Sequence, residues 1–301
     1  MKKIQKIVAL ILTLTLALAF AVGCGSKDAK TSVDNQANEN ASKDDTEAVE
    51  GGEETKTFDD VTIKIGASVT PHAELLREAA PILAKEGINL DIVELEDVVT
   101  PNTGVADGSL DANFFQHVPF LDSFNSENNT DLVSIGATHY EPFGLYAGKS
   151  DDLKNLKDGA IIGVPNNSTN EARALLLLQQ EGIIKLKEGA DINATVQDIE
   201  ENSHNIEIKE IAPEQLVRSL PDLDFAIING NYALEGGLKV KDALAVEAAD
   251  GVAAQTYKNV IVVKSENKDD EALKEVVKVL QSQDIQDYIN ATYDGAVVPV
   301  Q

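Results

Sequence analysis

The chain has one cysteine, Cys24, among 301 residues. A lone thiol makes no internal disulfide, so a disulfide-stapled scaffold is excluded. Positive charge is scarce: Lys and Arg total 25 against 51 Asp and Glu. That balance argues against a nucleic-acid partner, whose phosphates need Lys and Arg to neutralise them. It equally disfavours an acidic partner surface, and the bulk charge reads as a device for solubility. No Gly-x-Ser-x-Gly turn or Walker-type loop is present. The four histidines, His72, His117, His139 and His204, are scattered without metal-ligand spacing. The sequence therefore implies no cofactor, no metal and no enzyme, although a pair of catalytic carboxylates would leave no motif to find.

The N-terminus also lacks a full membrane span. Lys2, Lys3 and Lys6 precede an apolar run, Ile7 to Val22, broken by Thr13 and Thr15. A span needs about 20 apolar residues, so this is the pattern of a secretory signal. Ala21-Val22-Gly23-Cys24 resembles the lipobox of bacterial lipoproteins, in which the signal is cut before the cysteine and the cysteine is then acylated. The competing reading is an ordinary secretory site beside a stray cysteine. We therefore read 1–23 as a lipoprotein signal peptide and 24–57 as the lipidated Cys24 with an acidic tether. The tether is mostly Ser, Asn, Asp, Glu, Lys, Ala and Gly, with too little apolar surface to offset chain entropy, so disorder is expected.

The body, 58–301, alternates strand and helix patterns. Thr62 to Ala67 reads as a strand, Pro71 to Lys85 as a helix with Leu75, Leu76, Ala79, Ala80 and Leu83 on one face, and Leu90 to Leu95 as a second strand. Gly87 ends the helix. Short connections in a β-α-β order predict a parallel sheet. The pattern returns with strands at Ala160 to Pro165, Ile206 to Ile211, Phe225 to Ile228 and Asn259 to Val263. Helices are predicted at Asn170 to Glu181, Gln215 to Leu220 and Glu271 to Leu280. We expect two α/β lobes, 58–143 plus 256–301 and 144–255, with a ligand in the crevice at the carboxyl ends of the strands.

Three groups of residues could serve that crevice. Arg173 lies near the predicted start of a helix. There the helix dipole, free N–H groups and a planar guanidinium would together suit a carboxylate. An ion pair with a nearby acid is the alternative. In Asp111 to His117, Phe115 and His117 share a face if the segment is a strand, and Phe115 and Phe120 approach if a helix begins there. Either arrangement could wall an apolar pocket, and ordinary core packing is the competing reading. Asn229 follows a buried strand, where its amide oxygen could meet an ammonium group, although Asn229-Gly230-Asn231 is also a turn sequence.

These segments also carry a resemblance. Pro101-Asn102, Asp111 to His117, Glu141 to Tyr146, Val164-Pro165-Asn166 with Thr169-Asn170 and Arg173-Ala174-Leu175, and Thr195 with Asp198-Ile199 resemble the substrate-binding lipoproteins of methionine ABC importers, the NlpA lipoprotein family. The likeness runs from about Ile63 to Val298 in the family's order and spacing. It implies a two-lobed periplasmic-binding-protein-like fold of type II that closes on L-methionine or a related amino acid or methionyl peptide. It also implies a lipid anchor on the outer face of the membrane, an importer permease as partner, and a monomer. Carried over residue by residue, Arg173 takes the ligand carboxylate with Asn170 beside it and Asn229 takes the ammonium. Phe115, His117 and Phe120 flank the side chain. The family's pocket tyrosine before Pro-Asn is Val98 here, and Phe120 stands where tyrosine is frequent. Asn166-Asn167-Ser168-Thr169-Asn170 replaces the family's Asn-Asp-Pro-Thr-Asn loop.

Overall fold

The computed structural model describes residues 57–248 and 252–300. The signal peptide, Cys24 and all of the tether except Thr57 lie outside the described residues. So does the short stretch 249–251.

The chain opens with β1 (Val61–Ala67), in which buried Ile63 and Ile65 alternate with exposed Thr62-side neighbours such as Lys64. Helix α1 (Glu74–Ala84) lays fully buried Leu75, Leu76, Ala79 and Leu83 on the sheet. Its chain reversal needs Gly87, whose φ is +85° and whose hypothetical Cβ would sit 2.1 Å from the Phe58 carbonyl oxygen. β2 (Ile88–Glu94) then pairs parallel to β1 along its whole length, as the β-α-β pattern predicts. Asp97 starts α2 (Thr100–Asp107) by accepting from the N–H groups of Val99 and Thr100 at 2.8 and 2.6 Å. β3 (Ala112–His117) runs directly into α3 (Val118–Asn128), so of the two alternatives for Asp111 to His117 the strand holds, and the helix begins only after it. β4 (Leu132–Tyr140) follows.

The chain crosses at Glu141–Phe143 into a second sheet. Its strands are β5 (Gly144–Ala147), β6 (Ile161–Pro165), then β9 (Glu207–Ile211), β10 (Phe225–Ile228) and β11 (Ala245–Val246), with β7 (Lys185–Leu186) and β8 (Ile199–Glu201) forming a separate two-stranded ribbon. Helix α4 (Ser168–Gln180) buries Ala172, Leu175 and Leu178 against this sheet. The predicted helix at Gln215 to Leu220 is broken into short turns around α5 (Leu216–Ser219), because Pro213 and Pro221 bracket it and proline cannot donate to a helix ladder. α6 (Gly230–Glu235) follows β10. After Glu247 the chain returns through α7 (Val252–Thr256) into β12 (Lys258–Lys264), then α8 (Glu271–Leu280), α9 (Gln283–Thr292) and β13 (Val298–Pro299).

The first sheet has the order β13-β4-β12-β3-β1-β2 and the second β11-β5-β10-β6-β9. In the first, β12 and β13 run antiparallel to their neighbours; in the second, β5 runs antiparallel to both β10 and β11. These are the two interleaved sheets of a type II two-lobed fold. Each lobe has its own core, one centred on Ile65, Leu76, Phe114 and Val276, the other on Leu145, Ile162, Leu175 and Phe225.

The candidate ligand cleft between the lobes

The carboxyl ends of β3, β6 and β10 and the first crossing face a common cleft. It encloses about 450 Å³ counting its open mouth. Every residue singled out for the crevice lines it: Val98, Phe115, His117, Phe120, Asn170, Arg173 and Asn229. The lobes already touch across it. His117 Nε2 lies 3.1 Å from Asn170 Oδ1, the Tyr232 hydroxyl donates to the Glu96 carbonyl at 3.2 Å, and Ser123 and Ser168 hydroxyls meet at 3.1 Å.

The aromatic wall comes from the strand-to-helix junction. Phe115 and Phe120 meet edge to face with centroids 5.9 Å apart, and Phe120 stands at 90° to His117. His117 is the N-cap of α3: its Nδ1 accepts from the Phe120 N–H at 3.2 Å. That contact fixes Nε2 as the protonated nitrogen, which therefore donates to Asn170 Oδ1. The Asn170 amide nitrogen then points away from His117 as a donor. Burial first, and Arg173 second, hold His117 down to about 3, so it is a neutral ring. His117 is thus at once a buried, hydrogen-bonded residue and a wall of the cleft. Val98 is half-buried and packs against the lobe 2 cluster that holds Tyr146 and Tyr232.

Arg173 differs from the sequence expectation. The helix begins at Ser168, so Arg173 sits in its second turn and not at its free N–H groups. Its guanidinium is also already paired. Nε donates to both oxygens of Glu247 at 2.8 and 2.9 Å, and Nη2 donates to Glu247 Oε2 at 2.6 Å and to the Glu141 carbonyl at 2.7 Å. The group lies between the rings of Phe143 and Tyr257, 3.8 and 4.5 Å from their centroids. Glu247 also accepts from the Tyr140 hydroxyl and the Phe143 N–H, both at 2.9 Å. The ion-pair reading of Arg173 therefore holds, with Glu247 as the acid, and the residue also lines the cleft.

Asn229 is the N-cap of α6, but its side chain makes no capping bond, and its Oδ1 is buried without a hydrogen-bond partner. A buried acceptor left unmet costs about 1–3 kcal/mol, which marks it as a group waiting for a donor.

Spacing gave no hint of a second cluster. His72 and His139, scattered in sequence, converge on Glu141 beneath the cleft, with His139 Nε2 at 2.7 Å and His72 Nε2 at 3.3 Å from Glu141 Oε1. His72 Nε2 also meets Asn259 Oδ1 at 3.1 Å. The ligand atoms lie within 4.8 Å of one another, a spacing that could surround a cation. Each is already engaged in a hydrogen bond, so the cluster is a self-satisfied polar network. Glu141 and Asn259 line the cleft; the motif Glu141-Pro142-Phe143 was visible, but nothing local gave Glu141 a task. Below the aromatic wall, Asn102, Asn113 and Gln116 interlock their amides, Asn102 donating to Gln116 at 2.9 Å and Asn113 to Asn102 at 2.8 Å. This accounts for the Pro101-Asn102 and Asp111 to His117 segments occurring together.

Comparison with known proteins places this geometry. A profile of the NlpA lipoprotein family matches residues 63–301. The methionine-binding lipoprotein MetQ of Bacillus subtilis (strain 168) is 40% identical over 244 residues, which cover 79% of this chain and 88% of MetQ. A crystal structure of a lipoprotein from Ruminococcus gnavus ATCC 29149 superposes with a TM-score of 0.79 at 53% identity, covering 80% of this chain and 99% of that one. A nutrient-binding protein from Burkholderia cenocepacia, solved bound to methionine, superposes with a TM-score of 0.76 at 41% identity, covering 79% and 100%. The chain belongs to the NlpA lipoprotein family.

Proposed function

We propose that this protein is the lipid-anchored, extracytoplasmic solute-binding component of an ABC importer, and that its ligand is methionine or a closely related amino acid. The observation that carries the reading is one narrow cleft lined by two complementary groups: the cation Arg173 with the Asn170 amide, and the Asn229 Oδ1 acceptor, which is buried without a hydrogen-bond partner. A zwitterion offers a carboxylate to the first and an ammonium to the second. Phe115, His117 and Phe120 then receive the side chain. The lobes would close on the ligand and open to hand it to the permease.

Calorimetry on the ligand-stripped protein with methionine, methionine amide, a methionyl dipeptide and leucine tests this. The expected result is that methionine binds and its amide binds at least about tenfold more weakly, having lost the charge-assisted contact. A protein that binds the amide as well as the acid has no carboxylate clamp. Val98→Tyr should reorder methionine, leucine and the dipeptide, because it narrows the side-chain end, while the demand for a free carboxylate stays unchanged. If the reordering is absent, Val98 is not a side-chain contact.

The anchor is tested separately. Cys24→Ala should move the protein from the membrane fraction to the soluble one, since acyl chains contribute about 0.8 kcal/mol per buried methylene. Retention after a high-salt wash would show that another membrane contact exists.

A further inference from the structure

Two histidines and a glutamate from separate stretches of chain bring their donor atoms to one point beneath the cleft. His72 lies in the turn between β1 and α1, His139 near the end of β4, and Glu141 at the first crossing. His139 Nε2 stands 2.7 Å and His72 Nε2 3.3 Å from the same oxygen, Glu141 Oε1. A fourth donor, Asn259 Oδ1 on β12, lies 3.1 Å from His72 Nε2. Neighbouring ligands of a tetrahedral zinc ion, each about 2.0–2.1 Å from the metal, are about 3.3 Å apart. The His72–Glu141 and His72–Asn259 separations are already close to that spacing. The His139–Glu141 separation reaches it by opening about 0.6 Å, from 2.7 Å. Hydrogen bonds satisfy these converging lone pairs two at a time, and a single cation can satisfy them together.

The surroundings of these atoms are those that orient metal ligands. Both rings turn Nε2 inward and engage Nδ1 with a hydroxyl, Ser68 at 3.0 Å for His72 and Thr138 at 2.9 Å for His139. The Asn231 N–H holds the Glu141 carboxylate. A ligating histidine is aimed by such a partner on its other ring nitrogen, and a ligating carboxylate by further hydrogen bonds. Phe114 meets both rings edge to face, with centroids 4.6 and 5.4 Å away, and gives the point an apolar wall. His72 and His139 are wholly buried. Glu141 and Asn259 line the cleft, which gives an ion its way in.

We propose that His72, His139 and Glu141, with Asn259 as fourth ligand, form a site for one divalent first-row transition ion of the zinc type. Two imidazoles with a carboxylate and an amide oxygen suit such an ion. Calcium takes six to eight oxygen ligands and magnesium an octahedral set, which this mixed group of four does not supply. Four protein ligands make a closed site, the kind that serves structure and not catalysis. The ligands come from the β1–α1 turn, β4, the first crossing and β12, the strand that follows the return from the second lobe. A bound ion therefore braces the first lobe where the chain leaves it and where the chain comes back. The site uses none of the residues given to the amino acid above, so it stands apart from that reading.

The full chain is stripped with EDTA, and zinc or cobalt is titrated back at neutral pH. The expected result is one zinc per chain with a micromolar or tighter Kd, and a melting temperature that climbs with free zinc. Cobalt should give the intense visible bands of a four-coordinate ion. Loss of an outer partner costs about 10–100-fold in metal affinity, so Ser68→Ala, which leaves every ligand in place, should weaken zinc by about tenfold or more. His139→Gln and Glu141→Gln, which remove a ligand, should weaken it by at least about a hundredfold. His204→Gln, at an exposed histidine outside the cluster, should change nothing. A stripped parent that takes up no zinc, or holds cobalt only in six-coordinate form, overturns the proposal without any variant. So does zinc affinity unchanged in Ser68→Ala or in a folded His139→Gln, which would place the bound ion elsewhere on this acidic chain. Should the glutamine variants fail to fold, the cobalt spectrum of the parent and the zinc affinity of Ser68→Ala decide.

Discussion

Arg173→Ala should lose both ligand and fold stability, and a second substitution should separate the two losses. Removing the guanidinium leaves Glu247, 7% exposed, as a buried charge with only the Tyr140 hydroxyl and the Phe143 N–H for partners. Breaking a buried pair from one side costs about 3–5 kcal/mol. The single variant should therefore melt well below the parent, and its weak binding would not by itself identify a clamp. Arg173→Ala combined with Glu247→Gln removes the stranded charge and should recover most of the stability. Methionine binding should stay weaker by about 2–5 kcal/mol, the range for truncating one side of a buried hydrogen-bonded charge pair. Arg173→Lys keeps the charge but cannot span both Glu247 oxygens and the Glu141 carbonyl together, so it should recover only part of the affinity. Thermal melting and calorimetry on the three variants give the answer. If the stable double variant binds methionine as tightly as the parent, Arg173 is a structural ion pair and the carboxylate lies elsewhere.

Acidification should destabilise the fold well before ordinary carboxylates titrate. Burial lowers His72 to about 4 and both His117 and His139 to about 3, from 6.5. Below pH 6.5 the unfolded chain takes up protons that these three folded rings refuse. Stability is therefore full above 6.5, falls as pH drops, and stops falling only below the folded values near 3 to 4. Each histidine contributes a slope of at most about 1.4 kcal/mol per pH unit, so the three together remove roughly 6–7 kcal/mol between pH 6.5 and 4.5. Glu141, whose carboxyl burial pushes up, pulls the other way. The decisive quantity is therefore a difference. His117→Gln keeps a donor for Asn170 and an acceptor for the Phe120 N–H, and its slope of unfolding free energy against pH should be shallower by about one proton. Denaturant melts from pH 7 to 4.5 measure it. Equal slopes for parent and variant would show that His117 is protonated in the folded protein.

The sequence determined the features whose physics is local. Alternation in Thr62 to Ala67 and the three-to-four spacing of Leu75, Leu76, Ala79 and Leu83 specify strand and helix because side-chain direction repeats along the backbone. The short links between them specify a parallel pairing, and β1 and β2 pair that way. The ordered series of short motifs was enough to mark the family and to pick out Val98, Phe115, His117, Phe120, Asn170, Arg173 and Asn229, all of which reach one cleft. What the tertiary structure decided is who stands opposite whom. Arg173 and Glu247 are 74 residues apart, and His72 and Asn259 are 187 apart. No periodicity encodes such pairs, because β12 enters the first sheet only after the chain has built the second lobe and crossed back. Glu141 and Glu247 both sit where the chain crosses, and in sequence they are two acids among 51 Asp and Glu. Burial distinguishes them: with water excluded, each carboxylate must be paired, protonated or offered to a ligand, and only the folded chain fixes which of these it is.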